Sequence, residues 1–431
     1  MLTRTLAAAA LALTVAAAAM AAEPMKPYAQ QPAQMSVRRS GIPNTLAKLD
    51  AGQDVKIAYF GGSITAQPGW RVKSFDWFRK TWPAAKLTEI NATIGGTNSE
   101  HGVYRCWQDV LSKKPDLVFV EFAVNDGGMP ANDCFRAMEG IVRQTWIASP
   151  SIDICFVYTF RTGYEKDLEK GMNPAAASAH EMVAEWYGIP SINVALKTVQ
   201  LAQEGKLIYV PKVVNGEKQP TPDGVILFSD DGVHPHVEGG HVVYTQVITD
   251  ALTAWRQGAK AEDHALRSPL IADNWDAAKL VPLTKSMLSD GWTKLPAGEG
   301  LARTFADRLP ELWYTDKPGA TISFKVKGET VKLYDLLGPD GGQVDVEVDG
   351  KTRGPVPRFD SYCTYYRLAN LFIARDLGPG EHAIKVTLRA DQPSRASVTD
   401  REKDKPGFDP KKYDGTKLWI GSIMVIGDVL P

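Results

Sequence analysis

Ser63 ends an apolar stretch and follows two glycines, in the run IAYFGGSIT at residues 57–65. Far downstream, the run DDGVHP at residues 230–235 places Asp231 and His234 three residues apart. A serine hydroxyl is a weak nucleophile at neutral pH and needs a histidine, oriented by a carboxylate, to take its proton. These residue types therefore predict nucleophilic catalysis, with His234 as the base for Ser63 and Asp231 holding the imidazole in one tautomer.

Short apolar runs alternate with helical patterns around these motifs. We expect strands at residues 55–60, 87–92, 117–123, 152–158 and 191–194, and helices at residues 72–82, 103–112, 134–148, 175–187 and about 238–257. This alternation predicts a parallel sheet covered by helices on both faces. Ligands bind such sheets at the carboxyl ends of the strands. Four segments fall there, and they contain Ser63, Gly95-Gly96, Asn125-Asp126 and the Asp231/His234 pair.

From about residue 280 the pattern changes to short strands separated by turn signals. The expected strands are residues 322–326, 331–336, 344–348, 371–374, 383–388 and 419–426. Asp349-Gly350 between two Val-rich runs is a strong hairpin signal. The pattern predicts an all-β sandwich. Its aromatic residues have two interpretations, a buried core or a platform for sugar rings: Trp313, Tyr314, Tyr334, Tyr362, Tyr365 and Tyr366.

The 431 residues are enough for two domains, and the composition, 44% hydrophobic and 23% charged, is that of a globular protein. We divide the chain into a signal peptide (1–22), an N-terminal tail (23–51), an α/β domain (52–260), a linker (261–285) and a β-sandwich domain (286–431). Arg4, the apolar run 6–20 and small residues at 19–21 indicate cleavage and export, to the periplasm or the medium, with no membrane span left afterwards. A net charge of -1 gives no electrostatic reason to expect nucleic acid as a partner.

Cysteines and histidines raise the questions of disulfides and metals. In an exported protein, Cys106 and Cys134 form the favoured disulfide pair, whereas Cys155 lies in an apolar strand and is expected in the core. The chain has no CxxC pair, so we expect no structural zinc. A histidine cluster with Asp230 or Asp231 is the alternative metal site, and its members are His234, His236 and His241. We expect no metal and no cofactor.

The four strand-end segments resemble, in the same order, the four sequence blocks of the SGNH (GDSL-type) hydrolases, over roughly residues 55–254. The resemblance implies the SGNH fold, a flavodoxin-like three-layer α/β structure, and the hydrolysis of ester bonds with Ser63 as nucleophile. It also implies an oxyanion hole formed by the Ser63 and Gly96 N–H groups and the Asn125 amide, with Asp231 and His234 completing the acid–base part. One position departs from the family pattern: the residue before the serine is usually an acid, whereas in this chain it is Gly62.

Residues near the serine are candidates for binding the substrate. Trp70, Arg71 and Arg105 are predicted to line the pocket, and the alternative for the arginines is a surface salt bridge. The predicted function is an exported serine esterase that removes short acyl groups, acetyl above all, from carbohydrate through an acyl-serine intermediate. Three alternatives remain open: an acyltransferase to a sugar hydroxyl, a lipase or thioesterase, and a non-catalytic sugar-binding protein.

Overall fold

The structure is a computed structural model, and it describes residues 29–258 and 260–430. The predicted signal peptide, residues 1–22, lies outside the described residues. An α/β domain is followed by an antiparallel all-β domain, as the two sequence patterns predict.

A six-stranded sheet forms the centre of the first domain. Its strands are β1 (Ser36–Val37), β2 (Val55–Gly61), β3 (Leu87–Asn91), β4 (Leu117–Glu121), β5 (Asp153–Tyr158) and β6 (Ser191–Asn193). They lie in the order β1-β6-β5-β4-β2-β3, and all pairs are parallel except β1 with β6. The order β3-β2-β4-β5-β6 is flavodoxin-like, so the strand order reverses beside β2 and β4, where ligands bind at the carboxyl ends.

Helices cover both faces of this sheet. They are α1 (Pro43–Asp50), α2 (Ser63–Ala66), α3 (Trp70–Thr81), α4 (Ser99–Asp109), α5 (Ala131–Ala148), α6 (Glu165–Leu168), α7 (Ala175–Tyr187), α8 (Val194–Gln203) and α9 (Gly240–Trp255). Helices α4, α5 and α7 pack on one face, and α1, α3, α8 and α9 on the other. Every residue of β4 is buried, because a central parallel strand is covered on both sides.

The segment predicted as a surface tail, residues 23–51, is more structured than expected where it is described. Its residues 36–37 form β1, which adds an antiparallel edge to the sheet, and α1 follows. Ile42, Leu46 and Leu49 are almost completely buried, and this apolar spacing ties the segment to the core.

Nine antiparallel strands form the second domain. These strands are β11 (Ala278–Pro282), β12 (Thr293–Lys294), β13 (Trp313–Thr315), β14 (Thr321–Leu337), β15 (Gln343–Val348), β16 (Lys351–Pro357), β17 (Arg367–Ala374), β18 (His382–Leu388) and β19 (Leu418–Leu430). Four short strands of the first domain precede them in the chain: β7 (Leu207–Ile208), β8 (Val213–Val214), β9 (Glu217–Lys218) and β10 (Ile226–Leu227). Helices α10 (Gly300–Thr304) and α11 (Ala396–Glu402) lie between strands of the second domain. The predicted strands 322–326 and 331–336 are one long strand, β14, whose pairing with β19 is irregular near Gly328. The whole of strand β11 lies within the predicted linker, residues 261–285.

Strand β14 is shared between two parts of the sheet. Its first half pairs with β18 and its second half with β17, while β19 pairs along most of its length. The apolar side chains of both parts enclose one cluster, which gives the predicted sandwich. The Asp349-Gly350 hairpin is confirmed: it joins β15 to β16, and both residues have the positive φ that a type I′ turn requires.

The two domains pack closely against each other. Tyr334, Leu336 and Trp419 of the sandwich share one buried cluster with Val103 of α4. Ion pairs add to this contact. Glu100 of α4 accepts Lys332 Nζ and Arg375 Nη2, each at 2.5 Å. Arg375 Nη1 also contacts Asp133 of α5 at 2.5 Å.

The predicted Cys106–Cys134 disulfide is wrong. All four cysteines are free and buried, and these two lie within α4 and α5. Cys155 is a core residue of β5, as expected. Among the described helices, none is both long and apolar enough to cross a bilayer.

Candidate active site

Ser63 lies directly beyond β2, at the first position of α2. The chain turns sharply here, and Gly61 allows it to lie close to the neighbouring strand: a Cβ at Gly61 would lie 2.6 Å from the carbonyl oxygen of Glu121 on that strand. The half-buried Ser63 side chain faces a cleft. The strand-to-helix turn thus presents the hydroxyl at the carboxyl edge of the sheet, where the sequence predicts it.

His234 and Asp231 meet Ser63 from the loop before α9. His234 Nε2 lies 2.8 Å from Ser63 Oγ, and His234 Nδ1 lies 2.7 Å from Asp231 Oδ2. A carboxylate only accepts hydrogen bonds, so Nδ1 carries the proton and donates it to Asp231. Nε2 is then left as the acceptor for the Ser63 hydroxyl. The geometry is that of a serine held ready for deprotonation.

Asp231 is fixed by several donors besides the histidine. Its Oδ1 accepts the backbone N–H groups of Val233 and His234, each at 2.8 Å, and the Ser229 hydroxyl at 2.8 Å. Partial burial raises the pKa of Asp231, but the hydrogen bonds from His234, Val233 and Ser229 outweigh it and hold the pKa well below the usual range. The group therefore stays a carboxylate.

Gly96 and Asn125 flank the serine from the ends of β3 and β4. Gly96 has φ of +72°, a conformation that favours glycine, and both residues line the cleft beside Ser63 and His234. Asp126, which follows Asn125, is buried and holds this loop. Its Oδ1 accepts the backbone N–H of Ser99 at 2.8 Å, and its Oδ2 lies 2.7 Å from His180 Nε2.

The structure gives a steric reason for Gly62, where the family has an acid. A Cβ at Gly62 would lie 2.2 Å from Asn125 Oδ1 and 3.3 Å from the Thr97 carbonyl oxygen. No side chain fits there while Asn125 keeps its position. Gly62 thus allows the Asn125 side chain to approach the serine turn closely.

A buried acid, Glu121, lies beneath the turn. Its carboxylate accepts the hydroxyls of Thr65 on α2 and of Thr159 after β5, each at 2.7 Å. Burial raises the pKa of Glu121 to about 7, although the two threonine hydrogen bonds oppose the shift. Sequence reasoning missed this residue, because a glutamate at the end of an apolar strand gives no sign of its partners.

Both domains line the cleft, which has a volume of about 940 Å³. The sandwich contributes two segments, around Arg308 and around Tyr365; its lining residues include Asp307, Arg308, Asp360, Tyr362, Tyr365, Tyr366 and Arg367. Tyr362 and Tyr365 are 67% and 57% exposed, whereas Trp313 and Tyr334 are buried. The predicted aromatic set therefore divides into cleft and core residues. Nothing in the sequence indicated that the segment around Arg308 lines the cleft.

The structure does not bring the predicted substrate-binding residues Trp70, Arg71 and Arg105 to the cleft, and that prediction is corrected. Trp70 is fully buried, with its ring centroid 5.4 Å from that of Tyr59. Arg71 is buried as well, donates to the Thr65 carbonyl oxygen at 3.0 Å and pairs with Glu89.

Arg105 points inward from α4. It is fully buried, contacts Asp109 at 2.9 Å and lies 4.6 Å from the centroid of the Phe60 ring. Each of these three side chains extends away from Ser63 into the layers around the sheet, which sequence spacing alone does not reveal.

The alternative histidine cluster is not assembled either. His241 accepts the Trp70 backbone N–H at Nδ1, 3.1 Å away, and its Nε2 donates to Gln67 Oε1 at 3.1 Å. His236 lies 3.3 Å from Asp230 instead. Within residues 29–258 and 260–430, no group of three or more His, Cys, Asp or Glu side chains is arranged to hold a metal ion.

Comparisons with known proteins agree with this architecture. Two crystal structures of a two-domain esterase (CEX) active on acetylated mannans share the fold. The first has a TM-score of 0.66 at 21% identity and covers 88% of this chain and 93% of that chain. The second, co-crystallized with mannopentaose, has a TM-score of 0.65 at 20% identity over 88% and 92% of the two chains. No curated protein matches the chain in sequence.

A family model matches the part of the chain that carries all the strand-end segments. The match spans residues 59–242 and is to the GDSL-like Lipase/Acylhydrolase family. It includes Ser63, Gly96, Asn125, Asp231 and His234. Over these residues the α/β domain is similar to the GDSL-like lipase/acylhydrolase family, and the protein is a hydrolase of ester bonds.

Proposed function

We propose that the protein is an exported serine esterase that removes acetyl groups from carbohydrate through an acyl-Ser63 intermediate. The observation that carries this proposal is the Ser63–His234–Asp231 arrangement, with contacts of 2.8 Å and 2.7 Å, opening into a cleft that the sandwich helps to form. Export rests on the N-terminal sequence alone, which lies outside the described residues.

In the acylation step, Ser63 Oγ attacks the carbonyl carbon of the acetyl ester while its proton passes to His234 Nε2. The charge that develops on the carbonyl oxygen meets the N–H groups of Ser63 and Gly96 and the Asn125 amide. Each such donor contributes ~10²–10³ in rate. When the tetrahedral intermediate collapses, the bond between the carbonyl carbon and the sugar oxygen breaks, and His234 returns the proton to that oxygen.

Deacylation repeats these steps with water. His234 takes a proton from a water molecule, whose oxygen attacks the acyl carbon of Ser63. The second intermediate breaks the bond to Ser63 Oγ, which receives the proton, and acetate leaves. Asp231 stays ionised throughout and stabilises the imidazolium that forms in each half-reaction.

Two features support carbohydrate as the substrate class. The exposed rings of Tyr362 and Tyr365 can stack on sugar rings. The cleft also carries several charged side chains, which suit a polar substrate better than a long acyl chain: Asp307, Arg308, Asp360 and Arg367. The structural relative with the same two domains is an esterase active on acetylated mannans.

The test is an assay of the purified protein on p-nitrophenyl acetate and on acetylated mannan and xylan, beside Ser63→Ala and His234→Ala. We expect both variants to lose at least ~10³ in kcat, because each removes a group that acts in every turnover. Ser112→Ala, which alters an exposed serine in the turn after α4, is the matched control and should retain full activity.

Full activity of Ser63→Ala would overturn the mechanism. Hydrolysis of p-nitrophenyl octanoate in preference to the acetate would favour the lipase alternative. Transfer of acetyl to an added oligosaccharide faster than to water would favour the acyltransferase alternative. Inactivation by a chelator would restore the metal alternative.

A further inference from the structure

The loop between β3 and α4 carries Gly96, and arginine side chains hold the backbone that precedes it. Arg308 Nη2 donates to the carbonyl oxygen of Asn91 at 2.7 Å and lies 3.4 Å from that of Thr93. Arg105 Nη1 donates to the carbonyl oxygen between them, that of Ala92, at 2.6 Å. Three successive carbonyl groups are thus bound from two directions.

One carboxylate joins the two arginines. Asp109 Oδ2 lies 2.9 Å from Arg105 Nη1 and 3.4 Å from Arg308 Nε. Asp109 and Arg105 are completely buried, and the Arg308 side chain is only 12% exposed. Buried, charge-assisted hydrogen bonds of this kind hold their partners in a narrow range of geometry.

Arg308 comes from the sandwich domain, whereas the loop, Arg105 and Asp109 belong to the α/β domain. The backbone of Arg308 is held as well, because Gln108 Nε2 donates to its carbonyl oxygen at 2.8 Å. Only Ile94 separates Thr93 from Gly95-Gly96, and glycines offer little stiffness of their own. The position of the Gly96 N–H therefore depends in part on what holds residues 91–93, beside the hydrogen bond from the Ile94 N–H to the Gly61 carbonyl oxygen at 3.1 Å.

We propose that Arg308 is a positioning residue for the oxyanion hole, through which the sandwich domain sets the position of the Gly96 N–H. The proposal rests on the proposed function, in which that N–H binds the oxyanion. A donor must lie within 2.7–3.1 Å of the developing oxyanion to act, so a shift of the loop by a fraction of an ångström lowers kcat. The sandwich is then part of the catalytic apparatus as well as of the substrate cleft.

The experiment compares Arg308→Ala and Arg308→Lys with Arg375→Ala in the full-length protein. Arg375 is the matched control, because it too crosses from the sandwich to α4 and α5 but contacts Glu100 and Asp133 instead of the loop. On p-nitrophenyl acetate we expect Arg308→Ala to lose ~10–100-fold in kcat with KM within about twofold, by partial loss of one oxyanion donor. Arg375→Ala should keep kcat within about threefold.

Two further measurements separate positioning from general damage. Affinity for a phosphonate that mimics the tetrahedral intermediate should fall in proportion to kcat in Arg308→Ala. Added guanidinium, at an ionic strength matched with NaCl, should restore part of the kcat of Arg308→Ala but not change that of Arg375→Ala. Arg308→Lys, which retains one cationic donor, should have a kcat between those of the unmodified protein and Arg308→Ala. It replaces Arg308→Ala in the comparison if the alanine variant does not fold.

A raised KM with unchanged kcat would overturn the proposal and make Arg308 a substrate contact, since it also lines the cleft. Equal losses of kcat in Arg308→Ala and Arg375→Ala, without rescue by guanidinium, would show that Arg308 only holds the two domains together. Wild-type kcat in Arg308→Ala beside an inactive Ser63→Ala would refute this inference alone. Activity in Ser63→Ala would refute the proposed function.

Discussion

Asp230 and Asp231 are adjacent acids with different partners. Asp230 lies 2.6 Å from Lys218 and 3.3 Å from His236 at the surface. Asp231 instead contacts Nδ1 of His234. The sequence shows only two neighbouring aspartates, whereas the structure assigns each to a separate network. Their different roles can therefore be tested by the same substitution at neighbouring positions.

Asp231→Asn should lower kcat by about 10³–10⁴ with little change in KM. The amide that replaces the carboxylate donates toward Nδ1, which favours the tautomer with the proton on Nε2, and that tautomer cannot accept the Ser63 proton. Steady-state kinetics on p-nitrophenyl acetate measure the effect. Asp230→Asn should behave like the unmodified protein, and the reverse pattern would exchange the two assignments.

Glu121 should make the stability of the protein depend on pH. Its pKa is raised from 4.5 to about 7 in the folded state, so the folded protein binds more protons than the unfolded chain between these values. The free energy of unfolding should therefore fall as pH rises from about 4.5 to 7, by up to ~3 kcal/mol from this group. Glu121→Gln should remove that decrease. Urea unfolding at pH 5 and pH 8 tests this, and an identical pH difference in both proteins would contradict it.

At the scale of elements, the active site depends on how closely the turn after β2 approaches the loop after β4. Gly62→Ala places a methyl group on Asn125 Oδ1, so it should displace the amide and lower kcat by ~10²–10³. The melting temperature should change little, because the side chain can rotate away into the cleft. Gly128→Ala, in the same loop as Asn125, meets no atom within 4 Å and is the control. Equal kinetics in both variants would show that Asn125 does not bind the oxyanion.

Sequence patterns predict the elements of the α/β sheet well and other elements poorly, for physical reasons. Buried parallel strands are continuous apolar runs, so β2 is predicted to within one residue at either end. Helix α8 is missed because it begins directly after β6, without a turn signal between them. Helix α11 is missed as well, because its seven residues show little apolar periodicity.

The residues of the candidate site also divide into those that the sequence predicts and those that it does not. Ser63, Asp231 and His234 are predictable because short motifs carry them, and the structure brings them together. The direction in which a long side chain points is set by tertiary packing, so Arg71 and Arg105 near the serine were placed wrongly. Local patterns contain no information on such long-range contacts.

At the scale of the whole molecule, the cleft joins segments about 300 residues apart in sequence, Ser63 in one domain and Tyr362 to Arg367 in the other. The sandwich segment is held in place by its own contacts. Arg367 pairs with Asp360 and lies 5.9 Å from the centroid of the Tyr362 ring. These interactions fix the exposed tyrosines within the sandwich. The cleft is therefore a property of both domains together.

Substrate size should reveal the contribution of the sandwich. Tyr362→Ala and Tyr365→Ala should each lower kcat/KM on acetylated mannan oligosaccharides by about tenfold, the loss of one stacking contact of ~1–1.5 kcal/mol. On p-nitrophenyl acetate both should stay within about twofold, because that ester has no sugar ring. Phe372→Ala removes a similarly exposed ring of β17 outside the cleft and should leave both substrates unaffected. Equal effects on the two substrates would mean that the tyrosines support the cleft rather than bind the sugar.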